Sequence, residues 1–156
     1  MAGCGYYQAR RNFYDGGGLG PKLRRSGELP ANKKTLLIAD DDPAILKLLS
    51  GLLADELCVI TADNGERALE QSRSFAGQIH VLLTDITMPS MNGIDLATQI
   101  ATQRPEIKVV LMSGFNDDTV LPNQGPHYLS KPFKPSQLIN LVNGLLAEPN
   151  SKFTAA

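Results

Sequence analysis

Five short apolar runs alternate along the chain with segments that have the hydrophobic spacing of helices. The runs cover residues 36–39, 57–61, 79–85, 107–112 and 127–130. Apolar runs of this length, bounded by turn signals, are typical of buried strands. Strands that alternate with helical segments predict a parallel sheet with helices packed on both of its faces.

The connectivity narrows the arrangement of such a sheet further. Crossovers between parallel strands are right-handed, and few topologies satisfy that rule. For five βα repeats we predict the strand order 2-1-3-4-5, which is the order found in flavodoxin. The predicted fold class is therefore α/β, a flavodoxin-like, doubly wound (βα)5 sandwich of three layers.

The first helix has the strongest start signals in the chain. Pro43 suits the first position of a helix, and Asp42 before it suits the N-cap. Four aliphatic residues follow at helical spacing and form the predicted inner face: Ile45, Leu48, Leu49 and Leu52. Further helices are predicted from Gly65, from Gly93 to about residue 103, and from Pro135.

Composition places the chain among ordinary globular proteins. Of the 156 residues, 42% are hydrophobic and 20% are charged, and no apolar run is long enough to span a membrane. The N-terminus lacks the apolar core of a secretory signal. We therefore expect a cytoplasmic protein with no membrane partner.

The charge is unevenly distributed. Residues 1–34 contain seven Lys or Arg and two acidic residues, whereas the remainder holds eight basic and fourteen acidic residues. Glycines at positions 16–18 and 20 interrupt any periodicity, so residues 1–33 are predicted to be a poorly ordered basic tail. Residues 34–148 form the predicted domain and 149–156 a frayed end. The tail could contact nucleic acid, but it shows no recognition motif, so a solubilising leader or a linker is the favoured interpretation.

Polar side chains stand at the carboxyl ends of four predicted strands. Asp40 and Asp41 follow the first strand, Asp85 ends the third, Ser113 follows the fourth and Lys131 the fifth. In a parallel sheet these ends share one edge, where ligands bind in open α/β folds. Carboxylates gathered there repel one another unless a cation lies among them, and oxygen ligands without His or Cys suit Mg²⁺.

This set of residue types suits phosphoryl transfer onto a carboxylate. In that hypothesis Asp85 is the nucleophile, while Asp40 and Asp41 hold the metal. Lys131 would neutralise one phosphoryl oxygen, and Ser113 would donate a hydrogen bond to another.

From residue 34 to about 147 the chain resembles response-regulator receiver domains of two-component signalling, such as the chemotaxis receiver. The matching residues are Asp40-Asp41, Asp85 with Met88-Pro89 and Gly93, Ser113-Gly114, and Lys131-Pro132-Phe133. The resemblance implies that Asp85 accepts a phosphoryl group from a sensor histidine kinase or a histidine phosphotransfer protein in a phosphorelay. It also implies Mg²⁺ on the side chains of Asp41 and Asp85 and on the Thr87 backbone carbonyl, with Asp40 acting mainly through water, and a cis peptide at Lys131-Pro132.

The resemblance extends to the switch residues of the family. Ser113 and Tyr128 stand at the hydroxyl and aromatic switch positions, and Thr87 and Phe115 at the positions that tune phosphoryl lifetime. One departure is that residues 116–126, where receivers usually carry a helix, contain Pro122, Gly125 and Pro126. This weak segment favours a receiver of the kind attached to hybrid histidine kinases.

Three functional hypotheses follow from these patterns. The first is a phosphoacceptor module without an output domain of its own, which acts on an unknown downstream protein and is not an enzyme beyond weak autophosphorylation or autodephosphorylation. The second is an aspartyl-phosphate phosphatase. Such enzymes require a second acidic residue two positions after the nucleophile, and this chain has Thr87 there. The third is nucleic-acid binding through the basic tail.

Overall fold

The structure is a computed structural model that describes residues 33–114 and 127–149. Its strands are β1 (Thr35–Ala39), β2 (Cys58–Ala62), β3 (Val81–Asp85), β4 (Lys108–Ser113) and β5 (His127–Ser130). Its helices are α1 (Pro43–Leu53), α2 (Gly65–Ser74), α3 (Gly93–Gln103) and α4 (Pro135–Ala147). The predicted tails, the weak segment 116–126 and Phe115 lie outside the described residues, apart from a few residues at the tail boundaries.

All five strands are parallel, and their order is β2-β1-β3-β4-β5. The predicted fold class and strand order are therefore confirmed. β3 lies at the centre, with Leu82 opposite Leu37 of β1 on one side and Val109 of β4 on the other. The two residues of β3 that matter most for the site, Thr84 and Asp85, come at its carboxyl end.

Both faces of the sheet are buried, which explains why the strands are continuous apolar runs rather than alternating ones. Leu37 and Leu82 pack on the face covered by α2 and α3, together with Leu96 and Ile100. Alternate residues of the same strands pack on the other face, under α1 and α4. Ile38 and Leu83 are two of these strand residues, and they pack in one cluster with Leu49 of α1 and with Leu138 and Val142 of α4.

Three helices begin at a side chain that caps the first free amides. The Asp42 carboxylate accepts from the Ala44 amide at 2.8 Å, with Pro43 at the first helical position. Asn64 and Asn92 cap α2 and α3 in the same way. The predicted N-cap role of Asp42 is confirmed. The predicted inner face of α1 is wrong at Leu48, which is 54% exposed because Leu49 and Leu53 point into the core instead.

At the amino edge of the sheet, cations bond to carbonyls at or just after the ends of three helices. Lys33 Nζ donates to the carbonyls of Ala54 and Asp55 after α1, at 3.2 and 2.8 Å. The Arg104 guanidinium donates to the carbonyls of Ser72, Phe75 and Gly77 at the end of α2. Lys108 Nζ, from β4, donates to the carbonyls of Leu145 and Glu148 at the end of α4. These bonds satisfy carbonyls that a helix leaves unpaired and complement its dipole.

Across residues 33–114 and 127–149, none of the helices has the length and apolar character required to cross a membrane.

Candidate functional site at the carboxyl edge of the sheet

Three of the predicted site residues meet at the carboxyl edge. Asp40 follows β1, Asp85 ends β3 and Lys131 follows β5. Lys131 Nζ lies 2.9 Å from Oδ2 of Asp40 and 2.8 Å from Oδ1 of Asp85. One ammonium therefore bridges two carboxylates that are 45 residues apart in the sequence, as the strand order requires.

The two carboxylates are largely withdrawn from solvent. The side chain of Asp40 is 1% exposed and that of Asp85 is 10% exposed, while Lys131 keeps 26% of its side chain accessible. Removing one partner of a buried ion pair leaves an uncompensated charge, which costs several kcal/mol in typical proteins. Lys131 is therefore the cation that makes this acidic cluster compatible with folding.

The pKa values of Asp85 and Lys131 reflect both their burial and their contact with each other. Burial raises the pKa of Asp85, its hydrogen bond and ion pair with Lys131 lower it, and the charges of Asp40 and Asp41 raise it again. The net result is a raised pKa. For Lys131, burial lowers the pKa, but bonding to Asp85 and Asp40 outweighs burial and raises it. The pKa of Asp85 is thus raised mainly by burial, although Lys131 is bonded to it.

The loop after β1 fixes the orientation of Asp40. Its Oδ1 accepts from the Asp42 amide at 2.9 Å while its Oδ2 holds Lys131. Asp41, between them, is exposed. Its charge nevertheless acts on Asp85, because it contributes to the raised pKa of that carboxyl. The predicted acidic trio is thus brought together, with two buried members and one exposed member.

The backbone after Asp85 is held on two sides. The Ile86 amide donates to the Met112 carbonyl of β4, and the Gly93 amide donates to the Ile86 carbonyl, both at 2.9 Å. The first turn of α3 consequently lies against the backbone of Asp85. A methyl group on Gly93 would be 2.9 Å from the Asp85 carbonyl carbon and closer still to its oxygen. Gly93 is one of the residues that match receiver domains, and the close approach of the Asp85 backbone explains why this position is a glycine.

The turn between Asp85 and α3 contains a strained residue. Ser90 has φ of 68°, and the Met91 amide donates to the Pro89 carbonyl at 2.8 Å. A bond between residues two apart across a positive φ describes a γ-turn, an uncommon and strained conformation for a residue other than glycine. The turn therefore keeps a strained shape next to the candidate site.

The remaining predicted site residues lie around this cluster with more exposure. Thr87 is exposed two residues beyond Asp85, and Ser113 ends β4 and is partly exposed. Tyr128 lies on β5 and is 38% exposed, and its pKa is raised by burial. The peptide between Lys131 and Pro132 is cis, as the resemblance implied.

The carboxylates of this cluster are candidate ligands for Mg²⁺. Within the described residues, no three His, Cys, Asp or Glu side chains are placed to hold a metal ion together. Mg²⁺ does not require three, because it usually binds one or two carboxylates and keeps several waters. The buried carboxylates of Asp40 and Asp85, with the exposed carboxylate of Asp41 next to Asp40 in the chain, are a donor set that fits such an ion.

A second polar feature lies at the opposite, amino edge of the sheet. It is a small cleft of about 80 Å³ lined in part by Lys34, His80, Glu106, Lys108 and Glu148. His80 Nδ1 accepts from the Thr35 amide at 3.0 Å, so this ring nitrogen is unprotonated. Burial and then the charge of Lys34 lower the pKa of His80. His80 therefore links the start of β1 to the residue before β3.

The fold and the site define a class: doubly wound α/β domains that present an acidic cluster and a lysine at the carboxyl edge of a parallel sheet. A model of the response regulator receiver domain matches residues 36–143. The chain belongs to this family, whose members are signalling switches of two-component systems that interact with histidine kinases or phosphotransfer proteins.

Similarity to known proteins supports the same assignment. The chain is 34% identical over 125 residues to the two-component response regulator ORR3 of Oryza sativa, covering 76% of this chain and 95% of the relative. It is 27% identical over 129 residues to the sensor kinase CckA of Brucella abortus, covering 80% of this chain but 14% of that protein. A receiver domain protein from Clostridium thermocellum superposes with a TM-score of 0.66 at 28% identity, over 72% of this chain and 94% of that structure. The chain spans less than half of the length of several curated relatives that it matches.

Proposed function

We propose that this receiver domain accepts a phosphoryl group on Asp85 from a histidine kinase or a phosphotransfer protein. The observation that carries the proposal is the single ammonium of Lys131, which holds Asp85 and Asp40 together at the carboxyl edge. A nucleophilic carboxylate beside a fixed cation is the arrangement that phosphoryl transfer requires, since that reaction depends on positioning and charge neutralisation.

The proposed step follows from which carboxylate oxygen is engaged. Lys131 holds Oδ1 of Asp85, so Oδ2 is the oxygen that we assign as the nucleophile. Oδ2 attacks the phosphorus of a phosphohistidine, the P–N bond breaks, and the histidine nitrogen leaves with its electron pair and takes a proton. The product is an acyl phosphate on Asp85, and Lys131 neutralises one of its oxygens.

We assign Mg²⁺ to the same cluster. Asp41 and Asp85 would hold it through their side chains and Thr87 through its backbone carbonyl, with Asp40 acting mainly through water. The ion would supply positive charge to the phosphoryl oxygens during transfer. Asp40 is positioned for a supporting role because both of its oxygens are already engaged, one by Lys131 and one by the Asp42 amide.

The same proposal includes the switch. Ser113 would donate to the phosphoryl group, and Tyr128, now 38% exposed, would turn inward. Thr87 and Phe115 would tune the lifetime of the acyl phosphate. In this role the domain is a relay or a switch that acts on another protein, and any autophosphorylation or autodephosphorylation is weak.

The similarity to the hybrid histidine kinase CckA supports an alternative, in which this domain is a receiver that derives from such a kinase. The alternative of an aspartyl-phosphate phosphatase lacks support, because Thr87 occupies the position where such enzymes require a second acidic residue.

The test is incorporation of a phosphoryl group. The wild type, incubated with acetyl phosphate and Mg²⁺ or with a phosphorylated histidine protein, should gain the mass of one phosphoryl group, and hydroxylamine should remove it. Asp85→Asn should gain none, whereas the matched control Asp55→Asn, at an exposed acid outside the site, should behave as the wild type. Equal labelling of Asp85→Asn and the wild type would disprove the assignment.

A further inference from the structure

Thr84 is a completely buried polar residue next to the candidate phosphoacceptor. It is 0% exposed, and its hydroxyl donates to the backbone carbonyl of Asp85 at 3.0 Å. A hydroxyl withdrawn from water is costly unless it is hydrogen-bonded, so this bond satisfies the hydroxyl. The same bond also holds the peptide group of the residue that the proposed reaction uses.

On one side of this carbonyl the pairing of the sheet ends. The pairing of β1 with β3 ends at Ala39 opposite Thr84, one residue before Asp85. On the other side Asp85 is paired with Met112 of β4. The backbone of Asp85 therefore extends past β1, and the Thr84 hydroxyl acts where that ladder stops.

The other contact on this carbonyl is steric. Gly93 at the start of α3 lies against the carbonyl group of Asp85, so close that no side chain fits between them. Thr84 thus directs the carbonyl by a hydrogen bond, while α3 limits where it can move. An apolar side chain of the same shape would preserve the packing in β3 and lose only the directing bond.

We propose that Thr84 is a positioning residue for phosphorylation of Asp85. It acts through the backbone, by fixing the Asp85 carbonyl and with it the direction of the Asp85 side chain. The inference rests on the proposed function, because it assigns Thr84 a part in that reaction. A 1 Å misplacement of a reacting group costs on the order of 100-fold in rate, so we expect a smaller loss, of about tenfold, when the bond is removed.

The experiment compares Thr84→Val, which keeps the shape, with Thr84→Ser, which keeps the hydroxyl. Thr98→Val is the matched control. The Thr98 hydroxyl also donates to a backbone carbonyl, that of Ile94, but Thr98 is an exposed residue of α3. The rate constant for phosphorylation by acetyl phosphate should fall about tenfold in Thr84→Val. It should recover in Thr84→Ser and stay unchanged in Thr98→Val, with the half-saturating acetyl phosphate concentration constant throughout.

A second measurement on the unphosphorylated protein keeps the two proposals separable. The ¹³C chemical shift of the Asp85 carbonyl should change in Thr84→Val and stay near the wild-type value in Thr84→Ser. If the wild type takes up no phosphoryl group, the proposed function fails, whereas the carbonyl shift still reports whether Thr84 holds this peptide. A wild-type rate in Thr84→Val, or a slow rate in Thr84→Ser, would overturn the inference.

Discussion

Replacing Gly93 with alanine tests how tightly α3 is packed against the candidate phosphoacceptor. Gly93 is the first residue of α3, and its amide donates to the Ile86 carbonyl. Helix propensity alone predicts that alanine at this position stabilises the protein, because glycine loses more conformational freedom on folding. The contacts predict the opposite sign.

The size of the effect follows from the distances. The new methyl carbon would lie 2.9 Å from the Asp85 carbonyl carbon and 3.1 Å from Ile86 Cα, whereas ordinary contacts begin at 3.4 Å. Every one of these neighbours is backbone, and the Asp85 carbonyl oxygen is closer still, so α3 and the end of β3 must move apart. Overpacking of a well-packed site costs about 1–3 kcal/mol. We expect a loss of about 2 kcal/mol and, at roughly 3–5 °C per kcal/mol for a domain of this size, a Tm lower by about 6–10 °C.

The assay is thermal and urea unfolding, together with the rate of phosphorylation. Gly51→Ala is the matched control, because Gly51 lies inside α1 and a methyl group there meets nothing within 4 Å. That variant should gain about 0.5–1 kcal/mol from helix propensity. Gly93→Ala should also be phosphorylated more slowly than the wild type, since the shift displaces Asp85. A Gly93→Ala protein as stable as Gly51→Ala would refute the reasoning from contacts.

Two further predictions concern the turn and the amino edge. Ser90→Gly should stabilise the protein by about 1 kcal/mol in urea unfolding, because glycine adopts the φ of 68° without the strain that serine bears there; an unchanged midpoint would mean that the turn is unstrained. His80 binds a proton less readily in the folded chain than in the unfolded chain, since its pKa is lowered by burial and by Lys34. Its contribution to stability is therefore complete above about pH 6.5 and decreases as the pH falls below that value. His80→Asn, which keeps an acceptor for the Thr35 amide, should show a flatter dependence of the urea midpoint between pH 5 and 7 than the wild type, and parallel curves would exclude His80 as the cause.

Much of the fold could be predicted because its signals are local. Buried parallel strands are continuous apolar runs, and the N-cap at Asp42 and the start of α3 at Gly93 are specified by residues within one turn. The convergence of Asp40, Asp85 and Lys131 was also predictable, since strand order alone places strand ends on one edge. Strand limits moved by one or two residues, because the register of the ladder sets them and the sequence does not display it.

Side-chain exposure and contacts that depend on packing between distant segments could not be predicted from the sequence. Leu48 fits the helical period of α1, yet it is exposed, since the phase of a helix with apolar residues on most sides is set by what it packs against. Thr84 reads as one more strand residue until its hydroxyl is seen on the Asp85 carbonyl. The contact between Gly93 and Asp85 had one available signal, a glycine at a helical position where other residues have better propensity.

The bond from Lys33 to the end of α1 extends the contacts of the domain to a residue before its first strand. Lys33 precedes β1, yet its ammonium holds the last two carbonyls after α1. A chain shortened to begin at Thr35 would retain every strand residue and still release the far end of the helix that starts beside Asp40 and Asp41. We therefore expect a protein trimmed to begin at Lys33 to be more stable than one trimmed to begin at Thr35.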